Sequence, residues 1–267
     1  MSRKKGAWQI GFLTKYVYDG IKAALLDFFE PQETVSREEF SKRIKDYSLE
    51  HGRKLQYSDK PEMWENYSFV YFLREKIRLI DRDNNNYYLN SNGEMFRALL
   101  LKDETEFKKK LFTWCYEKSQ SNFKSFFEFV NTLLSNLREG RELISYENFD
   151  TLVRNKLGGH NFNAQGIISI LKSLDVIIQT SIGYKLNRQM LILVESKETK
   201  FQIIYGQLRE ASSGGKVEFD DALNLVSEKW GITKQEAEQM LNEMMALNLS
   251  GSAIVIRTAR GGKYIEL

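Results

Sequence analysis

The chain is poor in several residues that would otherwise direct its reading. One cysteine among 267 residues, Cys115, excludes a disulfide framework within the chain. The two histidines, His51 and His160, lie far apart, so a His/Cys zinc site is excluded and any metal would need carboxylates. Two prolines and 17 glycines give neither a Pro-rich linker nor a disordered composition. No apolar run reaches the roughly 18 residues of a membrane helix, so no membrane partner is expected. The opening MSRKKGAWQIGF has no long apolar stretch and no small-residue cleavage site, and predicts no signal peptide. An excess of one charge is missing too. Lys+Arg number 39 against 36 Asp+Glu, and residues 1–120, 121–196 and 197–267 carry 22 and 19, 8 and 7, and 9 and 10. A nucleic-acid binder of this composition has to cluster its basic groups in space.

What the chain does have is a repeated layout. Three stretches read as three helices followed by a short hairpin ending in Tyr and Leu. Their last pieces are FLREKIRLIDRDNNNYYLN (72–90), ILKSLDVIIQTSIGYKLN (170–187) and MLNEMMALNLSGSAIVIRTARGGKYIEL (240–267). Each starts with apolar residues at helical spacing, then switches to β-type residues around a turn: Asp83-Asn84-Asn85-Asn86, Ser181-Ile182-Gly183 and Arg260-Gly261-Gly262. Upstream, Tyr16–Phe29, Phe123–Leu137 and Lys200–Ala211 predict the first helices. Ser36-Arg37-Glu38-Glu39, Ser145 and the Ser212–Gly215 loop precede the second helices, Arg37 to about Glu50, Tyr146–Lys156 and Phe219–Trp230. The third helices run from Glu62, from about Ala164, and from Lys234 behind a Thr233 cap. One further helix, Gly93–Trp114, joins the first and second repeats.

This order resembles tandem winged-helix domains, and implies a mainly α protein with short β-hairpins, an α+β fold. The expected boundaries are 1–92, a linking helical segment 93–122, 123–196 and 197–267. The resemblance implies double-stranded DNA as partner, with the third helix in the major groove and the wing along the backbone. Winged helices also serve as protein-docking modules, so fold alone does not fix function.

On that reading the second repeat carries the base-reading face: His160, Asn161, Asn163, Gln165, Ser169 and Lys172, with Arg154 and Lys156 upstream toward phosphate. Asn and Gln pair a donor with an acceptor, which matches adenine. A helix cap is the plain alternative for Asn161 or Asn163. In the third repeat the acids Glu236, Glu238 and Glu243 repel phosphate, whereas the wing offers Arg257, Arg260 and Lys263. In the first, Arg37, Lys42, Arg43 and Lys45 cluster on the second helix and Arg53-Lys54 follow. Its third helix opens acidic and aromatic, Glu62-Met63-Trp64-Glu65. Lys108-Lys109-Lys110 reads as a solvated face. Phe123, Phe126, Phe127 and Phe129 read as core rather than as a stacking surface for bases.

No nucleotide-binding, serine-hydrolase or zinc-protease motif occurs. Cys115, between Trp114 and Tyr116, reads as a buried thiol. Asp175, a strand-like Leu191–Val194, and Glu195-Ser196-Lys197 resemble the PD-(D/E)xK nuclease pattern, in which carboxylates hold Mg²⁺ and the lysine orients water. Trp8-Gln9-Ile10, Leu79-Ile80-Asp81 and Tyr88-Leu89-Asn90 with Ser91-Asn92-Gly93 are similar to the recognition regions of FokI-like type IIS restriction enzymes. That resemblance implies a cytoplasmic or nucleoid-associated recognition part, without cofactor or catalysis of its own, working with a separate nuclease or ATPase subunit. The winged-helix accessory subunit of an SMC-like complex is the structural alternative, with a protein partner in place of DNA.

Overall fold

The computed structural model describes residues 16–52, 55, 69–122, 124–159, 162–230, 232–245, 247, 254–259 and 262–267. Among these the chain is mainly helical, with three small three-stranded antiparallel sheets. It forms two compact units, Met1–Met190 and Leu191–Leu267. No helix of the described residues is long and apolar enough to cross a membrane.

The first unit opens with α1 (Val17–Leu26), β1 (Thr34–Ser36) and α2 (Arg37–Glu50). A short helical piece, α3 (Phe69–Tyr71), then continues as a π-helical turn over Phe72–Lys76 into β2 (Ile80–Asp83) and β3 (Asn86–Leu89). The expected opening of that third helix at Glu62–Glu65 lies outside the described residues, as do Arg53-Lys54 and Trp8-Gln9-Ile10. Next come α4 (Ser91–Lys102), α5 (Glu104–Asn122) and α6 (Lys124–Arg138). The second repeat adds β4 (Leu143–Ser145), α7 (Tyr146–Leu157), α8 (Phe162–Ser173), β5 (Ile177–Gln179) and β6 (Gly183–Leu186). Past α9 (Arg188–Leu191) and a 3₁₀ turn over Ile192–Val194, the second unit holds α10 (Lys197–Ala211), β7 (Lys216–Glu218), α11 (Phe219–Trp230), α12 (Lys234–Met245), β8 (Val255–Ala259) and β9 (Gly262–Glu266).

Each repeat therefore has one strand more than the sequence pattern predicts. β1, β4 and β7 are only three residues long, too short to show an alternation, and each turns one apolar residue inward. Those residues pair with the returning strand of the hairpin: Val35 with Tyr87, Ile144 with Tyr184, Val217 with Ile265. The extra strand covers an edge the hairpin would otherwise leave open.

The caps follow the sequence. The Ser36 hydroxyl accepts from the Glu39 amide (3.2 Å) and Ser145 from Asn148 (3.3 Å). Thr233 and Glu236 cap α12 reciprocally, at 3.2 and 2.8 Å. The single linking helix expected over Gly93–Trp114 is instead two helices, broken at Asp103. Asp103 is extended (φ −158°, ψ 106°), and its carboxylate caps α5 by accepting from the Thr105 and Glu106 amides. Competition of a short carboxylate with the helical backbone explains the break.

Among the described residues, buried apolar side chains pack in each repeat. Phe28, Phe29, Phe40 and Tyr87 pack together in the first repeat. Phe129, Phe149 and Tyr184 do so in the second, with Phe126 and Leu133 buried beside them. Phe201, Phe219, Val226, Leu241 and Ile265 do so in the third. Each fully buried side chain of this size contributes about 1.5–3 kcal/mol. Arg97 of α4 is buried and ties off α1, its guanidinium donating to the Leu25 carbonyl (2.5 Å) and to the Phe29 carbonyl. Cys115 is fully buried, and burial pushes its thiol up to about 12.

Candidate nucleic-acid interface

In the second repeat α7 ends at Gly158, which takes the left-handed conformation (φ 73°) that glycine adopts without strain. Arg154 and Lys156 stand exposed in its last turn. His160 and Asn161 lie outside the described residues, and Asn163 is described only as part of helix α8. Gln165, Ser169 and Lys172 fall on one face of α8 by their spacing. That face is narrow. Ala164, Gly166, Ile167, Ile170 and Leu171 are buried, and α8 packs against α1 of the first repeat as well as against α7. Lys172 is already engaged: its Nζ donates to Gln179 Oε1 at 2.6 Å and lies 5.7 Å from the Tyr184 ring.

In the third repeat's hairpin two of the three expected cations are compensated. Arg257 Nε donates to Glu266 at 3.1 Å. Lys263 Nζ donates to Glu238 at 3.2 Å and sits 3.8 Å from the centre of the Phe219 ring. Arg260 lies outside the described residues. Residues 191–267 carry nine basic and eleven acidic groups, net −2, whereas residues 1–190 carry 30 and 25, net +5. Positive charge is thus concentrated in the first unit.

Within that unit Lys42 is exposed and Arg37 half-buried. Arg43, grouped with them by sequence, is half-buried and engaged by the protein itself. It grips Glu33 with both terminal nitrogens (2.7 and 2.9 Å) and donates to Glu39 and to the Phe28 carbonyl. The Arg43 hydrogen bonds hold the Glu33 carboxyl down to about 2. A guanidinium making four hydrogen bonds to three such partners holds α2 against the α1–β1 connection and has little left for phosphate. The lysine run is also mostly spent: Lys108 pairs with Asp175 (2.6 Å) and Lys109 with Glu106 (2.7 Å).

One further arginine cluster lies outside the candidates that the sequence pattern offers. Arg74, Arg78 and Arg82 line an open groove of 580 Å³ with Glu75, Asp81, Asn84 and Tyr88. The three arginines come from three local structures: the π-helical turn, the junction after it, and β2. Arg78 has φ 53°, a left-handed backbone that costs a non-glycine residue about 1–2 kcal/mol. Its carbonyl accepts from the Asn90 and Asn92 side-chain amides at 3.2 and 3.4 Å, and its own side chain is exposed. Arg74 Nε donates to Glu75 (2.8 Å) and Arg82 Nε to the Asn84 carbonyl. The available signal was the Arg-x₃-Arg-x₃-Arg spacing, which a helix-to-strand transition bends around a groove.

The elements of the nuclease-like pattern take other forms. Leu191–Val194 is helical, not a strand, because it completes the turn begun at Arg188. Asp175 is held by Lys108, and Glu195 is buried with its carboxylate accepting from the Ser196 amide. Among the described residues no group of three His, Cys, Asp or Glu side chains is placed to hold a metal ion. Phe126 and Phe129 are core, and Phe127 packs on Tyr116 at 5.0 Å. Comparison with protein-family models, curated proteins and solved structures gives no match for this chain.

Proposed function

We propose that the three repeats are winged helices and that the chain binds duplex DNA without catalysing a reaction on it. The observation that carries this is the threefold order of helix, short strand, two helices and hairpin, with each short strand paired to the returning strand. That arrangement presents a helix and a wing side by side, the geometry suited to a groove and its flanking backbone. The net charge of +5 on residues 1–190 supports assigning DNA contact to the first unit. Arg154, Lys156, Gln165 and Ser169 of the second repeat, with Arg37 and Lys42 of the first, are its candidate contacts. The protein then serves as the recognition part of a larger DNA-processing, restriction or defence system, acting in the cytoplasm or on the nucleoid.

The second unit favours a different partner. Its net charge of −2 and the paired Arg257 and Lys263 suit a protein surface, such as a separate nuclease or ATPase subunit, better than phosphate. The deciding experiment is a salt titration of binding to random duplex DNA, with and without Mg²⁺. Binding that weakens steeply with salt and leaves the DNA intact supports the proposal. Absence of binding at low salt overturns it in favour of a protein scaffold, and Mg²⁺-dependent cleavage overturns it in favour of a nuclease.

A further inference from the structure

We propose that the groove formed by Arg74, Arg78 and Arg82 in the first repeat is the seat for consecutive phosphates of one DNA strand. The inference rests on the duplex-DNA reading and makes it specific. Guanidinium groups present planar forks of N–H donors that match phosphate oxygens in pairs. Three of them border a single open groove of 580 Å³, far larger than one phosphate group. Such a space suits an elongated polyanion rather than a single inorganic ion. Glu75 and Asp81 stand in the same wall, leaving the lining a formal charge of +1. The groove therefore works by directed donors rather than by bulk charge, with Tyr88 also in its lining.

The site is also built in advance. Arg74 is oriented by Glu75 and Arg82 by the Asn84 carbonyl. The backbone of Arg78 is pinned by two asparagine amides, so little chain entropy remains to be lost on binding. The second repeat makes the contrast. At the backbone position of Arg78 it carries Asp175, a carboxylate already paired with Lys108, which would repel a phosphate there. A phosphate seat at this backbone position thus belongs to the first repeat; in the second, the sequence favours α8 for reading bases, with Arg154 and Lys156 toward phosphate.

The test uses the full chain, a fluorescent random duplex and three proteins: wild type, an Arg74→Gln/Arg78→Gln/Arg82→Gln variant, and an Arg154→Gln/Lys156→Gln variant. Glutamine keeps polarity and removes charge. The groove variant is expected to bind about 10- to 100-fold more weakly at low salt, with a log–log salt slope shallower by about 2–3. Single Arg78→Gln, at an exposed side chain, is expected to lower the slope by about 1 with an unchanged melting temperature. That variant keeps the test decisive if the triple variant folds poorly. If wild type binds and both groove variants keep its affinity and slope, the seat is wrong and the DNA reading stands. If wild type does not bind duplex DNA, the reading fails and the seat with it.

Discussion

Arg78 and Asp175 occupy the same backbone position in the first two repeats. Both are left-handed, at φ 53° and 56°. Each is followed by a buried residue, Leu79 or Val176, whose carbonyl accepts from the asparagine that ends the hairpin: Asn90 to Leu79 at 3.2 Å, Asn187 to Val176 at 2.9 Å. One backbone device thus ends the third helix and starts the hairpin twice over. The side chains on it have opposite charge, so geometry is repeated while chemistry is not.

If the left-handed turn is set by the fold and not by the side chain, glycine should be accepted at both positions. Arg78→Gly and Asp175→Gly are expected to change stability by less than about 1 kcal/mol, as relief of backbone strain offsets added freedom in the unfolded chain. Arg78→Val, β-branched in the same conformation, is expected to destabilise by about 1–2 kcal/mol. Urea denaturation of the three variants checks this. Equal effects of Gly and Val would show that the backbone there relaxes freely.

The hairpins set a second constraint. A Cβ on Gly183 would collide with the Ile144 carbonyl oxygen across the sheet, and one on Gly93 with the Leu79 carbonyl oxygen at the start of α4. Neither backbone atom has a flexible side chain's freedom to move. Gly183→Ala and Gly93→Ala are each expected to cost about 1–3 kcal/mol. Gly140, with open space around it, gives the comparison. Its φ of 76° makes alanine there a matter of backbone strain alone. Thermal melts that rank Gly140→Ala above the other two in cost would refute the steric argument.

These relationships mark what the sequence could and could not reveal. Helix starts were legible because Ser36, Ser145 and Thr233 each precede an amphipathic run, and the hydroxyls do accept the expected amides. The hairpins were legible from turn residues. The strands β1, β4 and β7 were hidden, since three residues carry no period and their identity comes from pairing with distant β3, β6 and β9. The site was less legible than the fold. Charge along the chain does not say which cations are neutralised in space. Arg43, Arg257 and Lys263 have carboxylate partners 10, 9 and 25 residues away, and Arg74, Arg78 and Arg82 converge only once the chain bends at Arg78.

Arg43 illustrates the difference between a cation that holds the fold and one that holds a ligand. Glu33 is held below the ordinary carboxylate value, down to about 2, so the folded state favours its charged form. Its contribution is complete above about pH 4.5 and is lost as pH falls through about 2. Glu33→Gln is expected to cost about 1–2 kcal/mol at pH 7, because the pair is partly exposed, and to flatten the acid limb of the stability profile. Arg43→Gln should destabilise similarly, yet leave the salt slope of DNA binding unchanged. A slope reduced by about 1 in that variant, with stability intact, would return Arg43 to the interface.

The wing of the third repeat provides a test by gain rather than loss. Arg257 and Lys263 are paired with Glu266 and Glu238, and surface pairs of this kind contribute only about 0–1 kcal/mol. Removing the acids by Glu238→Gln/Glu266→Gln should therefore leave the melting temperature nearly unchanged while releasing Arg257 and Lys263. If carboxylates are what keep this wing from acting as a phosphate surface, the variant should bind random duplex DNA more tightly than wild type. Its log–log salt slope should be steeper by up to about 2. An unchanged affinity and slope would mean that the third repeat is held away from DNA by more than its charge, as a unit committed to a protein partner would be.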